Sequence, residues 1–144
     1  MENRDLSPAE WLDKAEAYCA RAEHCAAEVQ RKLLQWGAPA DLFDEIEEKL
    51  YERDFLNDRR FCRAYVHDKV EFQQWGRLKI RAGLQALHLP STAIDEALAG
   101  IDEARYADVL RRVAALRRGA TDEQKLRFLL QRGFTFDEIR NILK

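Results

Sequence analysis

Three stretches of the chain lie over one another, and that repeat limits the fold more than any other feature of the sequence. Leu34, Leu84 and Leu130 take one place, 50 and 46 residues apart. Three residues earlier stand Arg31, Arg81 and Arg127, one residue later Gln35, Gln85 and Gln131, and nine residues earlier Cys25, Trp75 and Thr121. Upstream, Trp11, Phe61 and Tyr106 fill corresponding aromatic positions, 23, 23 and 24 residues before the shared leucine. A core drawn from fewer than about 50 residues seldom outweighs chain entropy without a metal or a disulfide, so neighbouring copies must share apolar surface. The expected fold is all-α: three tandem three-helix repeats, over residues 8–57, 58–101 and 102–144, forming an elongated, curved array.

Punctuation along the chain supports helices throughout. Ser7-Pro8-Ala9-Glu10 reads as a capping box with proline in the first turn, and Trp11, Ala15, Tyr18, Cys19 and Ala22 line one face after it. Val29, Leu33 and Leu34 mark a second helix closed by Gly37-Ala38-Pro39, and Leu42, Phe43, Ile46 and Leu50 a third, from about Ala40 to Arg53. Helices then run from about Asp58 to Phe72, Gly76 to His88 and Thr92 to Ala99. Asp102 or Glu103 opens one bearing Tyr106, Val109, Leu110, Val113 and Leu116, and Gly119 stops it. Thr121-Asp122-Glu123-Gln124 is a second capping box, launching Leu126, Leu129 and Leu130 up to Gly133, and Phe134, Phe136, Ile139, Ile142 and Leu143 make the last helix. Six glycines and three prolines leave little material for hairpins, and 47% hydrophobic residues argue against disorder.

The net charge of −2 hides a polarity. Residues 1–58 hold 7 Lys and Arg against 15 Asp and Glu, whereas residues 59–144 hold 17 against 11. Such asymmetry assigns an anionic partner to the C-terminal part and a different role to the N-terminal part; the alternative is a set of solvated helix faces. Met1-Glu2-Asn3-Arg4-Asp5 carries too much charge to lead a secretory signal, and no apolar run reaches the roughly 18 residues of a membrane helix. A cytoplasmic protein is expected, with Cys19, Cys25 and Cys62 as thiols and not a disulfide framework. The spacing of Cys19, His24 and Cys25 matches no common zinc pattern.

Catalytic chemistry has no foothold in the residue pattern. His24, His67 and His88 are scattered, Glu47-Glu48 and Asp95-Glu96 lie on helix exteriors, and no glycine-rich phosphate loop exists. The chain therefore reads as a binding protein, not an enzyme, with no cofactor.

The most specific stretch runs Phe55-Leu56-Asn57-Asp58-Arg59-Arg60-Phe61-Cys62-Arg63-Ala64-Tyr65-Val66 and continues through Trp75-Gly76-Arg77-Leu78-Lys79-Ile80-Arg81. Asp58 is placed to accept from the first-turn N–H groups of its helix. The stretch resembles the RecX family of RecA regulators, whose distinctive segment has the form [FY]-L-[ND]-D-x-x-[FY]-[AC]-x-x-[YF]-[VI] followed by a basic G-x-x-x-[IL]-R helix. In the first repeat, Arg21 and Glu28-Val29-Gln30-Arg31-Lys32-Leu33-Leu34 are similar to the family's R-x-x-S-x-x-E-[LV]-x-x-K-L, with Cys25 where the family has serine as helix cap, a change that costs about 1 kcal/mol. In the third, Leu126-Arg127 to Leu130 and Gly133-Phe134 carry it, and Leu87-His88 replaces the family's basic-glycine turn in the second.

The resemblance implies a monomer that binds along the groove of RecA filaments on single-stranded DNA. It also implies inhibition of RecA ATPase, strand exchange and co-protease activity in DNA repair and the SOS response. The alternatives are a stand-alone helical nucleic-acid-binding module and a helical scaffold. The residues assigned to the anionic partner are Arg59, Arg60, Arg63, Arg77, Lys79 and Arg81, with Arg111, Arg112 and Arg127 of the third repeat. Arg77, Lys79 and Arg81 are expected to be exposed, with Phe61 and Tyr65 holding the basic face of the second repeat in place. Arg31 serves an ion pair, a solvent face or a binding row.

Overall fold

A computed structural model describes residues 6–143, so the charged opening Met1–Asp5 and the final Lys144 lie outside the described residues. Among the described residues nine α-helices follow in order: α1 Pro8–Arg21, α2 Ala26–Trp36, α3 Phe43–Glu52, α4 Asp58–Asp68, α5 Arg77–Ala86, α6 Ser91–Ala99, α7 Glu103–Ala115, α8 Asp122–Gln131 and α9 Phe136–Leu143. No strand occurs among the described residues. The fold is an all-α series of helical repeats, and its contacts divide it after Phe61 into two compact units, Met1–Phe61 and Cys62–Lys144.

Short-range hydrogen bonds start most of these helices. Ser7 Oγ accepts from Glu10 N at 3.2 Å while the Glu10 carboxylate accepts from Ser7 N at 2.8 Å, which satisfies two donors that the first turn otherwise leaves open. Thr121 and Gln124 repeat the exchange at 3.1 and 3.0 Å. Thr135 and Glu138 form another, at 3.0 Å both ways, ahead of α9. Asp102 Oδ1 accepts from Arg105 N at 3.1 Å and caps α7. At α4 the cap is Asn57, whose Oδ1 accepts from Arg60 N at 2.9 Å. Asp58, expected in that role, is instead the first helical residue and accepts from the Tyr51 hydroxyl at 2.8 Å. Gly37 ends α2 at φ +83°, its N–H donating to the Leu33 and Leu34 carbonyls.

The caps also correct the register of the repeat. Counted from Ser7, Asn57 and Asp102, the buried aromatics Trp11, Phe61 and Tyr106 all come four residues on. Counted from Cys25, Gly76 and Thr121, the residues eight on are Leu33, Leu84 and Leu129, each no more than 1% exposed. Leu34 is 66% exposed and Leu130 43%, so these two are not the equivalents of Leu84. Each stands beside another leucine, and only the helix start reveals which of the pair faces inward. The middle copy is thus displaced by one residue, with Gly76 and not Trp75 at the cap. Arg81 lies five residues past its cap while Arg31 and Arg127 lie six past theirs, about 100° apart around a helix of 3.6 residues per turn. The repeated arginine is therefore an accident of alignment. Another repeat appears in its place: Ile46, Ile94 and Ile139, all buried, come four residues after Leu42, Pro90 and Thr135.

The first unit closes around Trp11, Leu12, Ala15 and Cys19 of α1, Val29 and Leu33 of α2, Ile46 and Leu50 of α3, and Leu56. In the second unit α7 is central, with Tyr106, Val109, Leu110 and Val113 fully buried and contacts to α8 and α9. Leu116, expected inside, is exposed because α7 ends at Ala115 and the chain turns away.

Cys25 is buried at the cap of α2, where the Glu28 carboxylate accepts from its N–H at 3.3 Å and its sulfur faces Glu28 N in place of a hydroxyl. Burial pushes its thiol pKa up, and burial likewise pushes that of Cys19 up to about 11. Sulfur is a weak acceptor, so Cys25→Ser is expected to stabilise the chain by about 0.5–1 kcal/mol. Urea unfolding at unchanged m-value is the check, and a lower midpoint would contradict it.

Candidate functional site

The π-turn after α4 organises the basic part of the second unit. From Lys69 to Gln73 the helix widens to i→i+5 pairing, Gln74 takes a left-handed φ of +58°, and Phe72 is turned out to 72% exposure. Trp75 then lies between two ammonium groups, Lys69 Nζ at 4.7 Å and Lys79 Nζ at 4.6 Å from the ring centroid, with Lys69 also 5.1 Å from the Tyr65 ring. Trp75 stands at a repeat position and in the family-like stretch, but nothing in the sequence pairs it with Lys69. A regular helix through Phe72 would not bring them together, and the π-turn has no reliable local signature.

The start of α5 is not an open anion site. Its first N–H groups are used by the turn after α8: Gly76 N donates to the Arg132 carbonyl at 2.7 Å and Leu78 N to the Gly133 carbonyl at 3.0 Å. Arg132 completes the clasp, with Nη2 donating to the Gln73 carbonyl at 2.6 Å and Nε to the Gln74 carbonyl at 3.2 Å. A Cβ on Gly76 would collide with the backbone of Gly133 and Phe134, which is why only glycine serves here. Gly83 has a similar role beside the Tyr65 hydroxyl.

Of the guanidinium groups assigned to a partner, several are bound inside the chain. Arg77 donates to Glu138 at 2.9 Å and Glu103 at 2.6 Å and stacks 4.1 Å from the Tyr106 ring centroid, with its side chain 23% exposed. Its backbone N–H donates to the Tyr106 hydroxyl at 3.0 Å, and that hydroxyl donates to Glu138 at 2.9 Å. Burial, with the Glu138 carboxylate beside it, raises the Tyr106 phenol pKa. Arg77 is therefore not the exposed residue expected; it joins α5, α7 and α9. Arg60 is held similarly in the first unit by Glu23, by Asp54 at 3.1 Å, and by the carbonyls of Asp54 and Phe55. Arg81 ties α5 to α6 through Asp95 at 2.7 Å and is only partly exposed. Arg111 and Arg127 pair within their own helices with Asp108 at 3.3 Å and Glu123 at 3.5 Å, both in solvent. Arg59, Arg63, Lys79 and Arg112 are exposed.

A groove of about 390 Å³ opens on the second unit, floored by Val66, Val70, Ala97 and Ile101 and rimmed by Arg63 and His67. One wall is the pair Arg105–Glu71, whose three N–H···O contacts span 2.7–3.0 Å. Hydrogen bonding from Arg105 holds the Glu71 carboxyl below its ordinary pKa. A carboxylate depressed in the folded state stabilises it above the unfolded value of about 4.3, and that contribution disappears as pH falls through the folded value. Glu71→Gln is expected to lower stability at neutral pH and flatten the loss as pH falls from the unfolded value of about 4.3 through the folded one. Melting curves across that range test it, and a parallel decline in both proteins would exclude the pair as a source.

His24, the centre of the rejected zinc spacing, stacks 3.9 Å from the Tyr18 ring and hydrogen-bonds Glu28 at 2.9 Å. No group of three metal-ligating side chains exists among the described residues, and none of the chain's described helices is long and apolar enough to cross a membrane.

Comparison with known proteins places this geometry. Residues 57–98 match the model of the second three-helix domain of RecX. Over 137 residues the chain is 31% identical to the regulatory protein RecX of Chlorobaculum tepidum, covering 92% of this chain and 86% of that one. Over 130 residues it is 33% identical to that of Pseudomonas fluorescens, covering 86% and 83%. The crystal structure of RecX from Lactobacillus salivarius superimposes with a TM-score of 0.75 over 94% of each chain at 21% identity. A second RecX crystal structure reaches 0.78 over 94% of this chain and 74% of the other, at 19% identity.

Proposed function

We propose that this chain, which belongs to the RecX family of regulatory proteins, binds RecA filaments on single-stranded DNA and restrains RecA, its ATP hydrolysis included. The observation that carries the reading is relatedness along almost the whole chain at 31% and 33% identity, with the Asn57–Leu98 helices matched to a family domain. Its relatives are regulatory proteins, and we take this chain to act by binding, without catalysis, as a cytoplasmic monomer.

The attraction rests on the exposed cations. In the second unit these are Arg63, Lys79 and Arg112, supported by Arg111 and Arg127, whose solvent-exposed ion pairs are worth little and open readily. Arg59 extends the set. Arg60, Arg77 and Arg81 act mainly by holding helices in place. Arg63→Glu with Lys79→Glu is expected to leave the melting temperature within a few degrees, weaken inhibition of RecA ATPase several-fold and flatten its salt dependence. Inhibition unchanged at every salt concentration would move the contact elsewhere.

Cosedimentation with preformed RecA filaments separates this function from the second reading, a plain nucleic-acid-binding module. A filament regulator pellets with filaments and slows hydrolysis when no free DNA remains, whereas a plain binder acts only by covering free DNA.

A further inference from the structure

The acidic first unit carries a site of the opposite sign. Two sets stand out among its described cations. Lys49, Arg53 and Arg60 are paired with carboxylates, at 3.7 Å to Glu45, at 2.6 Å to Glu16, and to Glu23 and Asp54. Lys14, Arg21, Arg31 and Lys32 have no carboxylate within ion-pair distance among the described residues, although residues 1–58 hold 15 Asp and Glu.

These unpaired cations gather around two aromatic rings. Lys14 Nζ lies 4.4 Å from the Trp36 ring centroid, and Lys32 Nζ lies 5.8 Å from Trp36 and 5.7 Å from Tyr18. The positive charge of Arg31 acts on the Tyr18 phenol, opposing the larger effect of burial that raises its pKa. Tyr18 and Trp36 meet edge to face at 6.0 Å and 82°. With Lys14, Ala17, Arg21 and Lys32 they line a cavity of about 500 Å³, within the range of small-ligand sites.

We propose that this cavity binds one unstacked base of a single-stranded nucleic acid, the base on Trp36 and the adjoining phosphates on Lys14, Arg21, Arg31 and Lys32. Flexible lysines over an indole face leave when a base arrives, and their ammonium groups then reach the phosphates on either side. Cations alone would suit any polyanion. The ring between them favours a polyanion that carries planar bases.

The site works without RecA, so it is tested on the full chain alone, independently of the filament reading. Fluorescence anisotropy measures binding of a labelled oligothymidylate, an abasic oligomer of equal length, a duplex of equal charge and polyglutamate. The oligothymidylate is expected to bind at least tenfold more tightly than the other three. Trp36 also packs on the core, so Trp36→Leu keeps an apolar contact there; it is expected to reduce oligothymidylate affinity about tenfold and remove the preference over the abasic oligomer. Lys14→Gln with Lys32→Gln removes charges that no described carboxylate pairs, is expected to keep the fold, and is expected to lower the slope of log K against log salt by about 1.4. Equal affinity for the abasic oligomer or polyglutamate, or an unchanged salt slope in the lysine pair, would overturn the proposal.

Discussion

Gly76→Ala is expected to lower the melting temperature by roughly 10 °C. The new Cβ would enter the backbone of Gly133 and Phe134, atoms that cannot rotate away as a side-chain end can. Relief requires α5 to withdraw from the turn after α8, which breaks the Gly76–Arg132 and Leu78–Gly133 hydrogen bonds. Overpacking of this kind costs about 3 kcal/mol, and for a chain of this length each kcal/mol shifts the melting temperature by about 2–4 °C. A calorimetric scan reads it directly. Gly119→Ala is the control, since a Cβ there meets nothing within 4 Å, and it should change the midpoint by no more than a degree or two. Equal effects at both glycines would mean that the backbone clasp is not what holds the second unit together.

Arg77→Ala is expected to cost about 2–4 kcal/mol, as a stability variant and not a binding one. Removing the guanidinium strips Glu138 of its cation where that carboxylate is only 18% exposed, and takes away the stack on Tyr106. Glu103, 78% exposed, is rehydrated by water and contributes little to the loss. Arg77→Glu, which adds a third carboxylate to Glu103 and Glu138, should prevent folding of the second unit at ordinary temperatures. Lys79→Glu two residues away should melt within a few degrees of the parent. Urea titrations of Arg77→Ala and of the two glutamate variants distinguish the roles. If Arg77→Ala unfolded at the parent midpoint, the guanidinium would have to be reassigned to the partner-binding set.

The contrast between Arg77 and Lys79 shows where sequence reading stopped. Both stand in the first turn of the same helix, in a motif rich in cations, and nothing within ten residues separates them. Their partners do. Arg77 reaches Glu103 and Glu138, 26 and 61 residues away, and Arg60 reaches Glu23, 37 residues away. Long-range pairs of that kind are chosen by how helices pack, which no spacing rule records.

Features encoded within one or two helical turns are legible from the residues alone. The Ser7–Glu10 and Thr121–Gln124 boxes each join residues three apart, Gly37 can adopt the left-handed conformation alone, and the apolar faces of α1, α3 and α7 follow from the 3.6-residue period. The helical repeats and the family likeness rest on the same local information. Tertiary structure alone decided the register of the repeat, because the Leu33-Leu34 and Leu129-Leu130 pairs are equivalent until the helix start is known. It alone introduced the π-turn that carries Lys69 toward Trp75, and sorted guanidinium groups into struts and exposed charges. It also gathered Lys14 and Lys32 onto two rings inside the acidic unit, a local field that a net charge summed along the chain averages away.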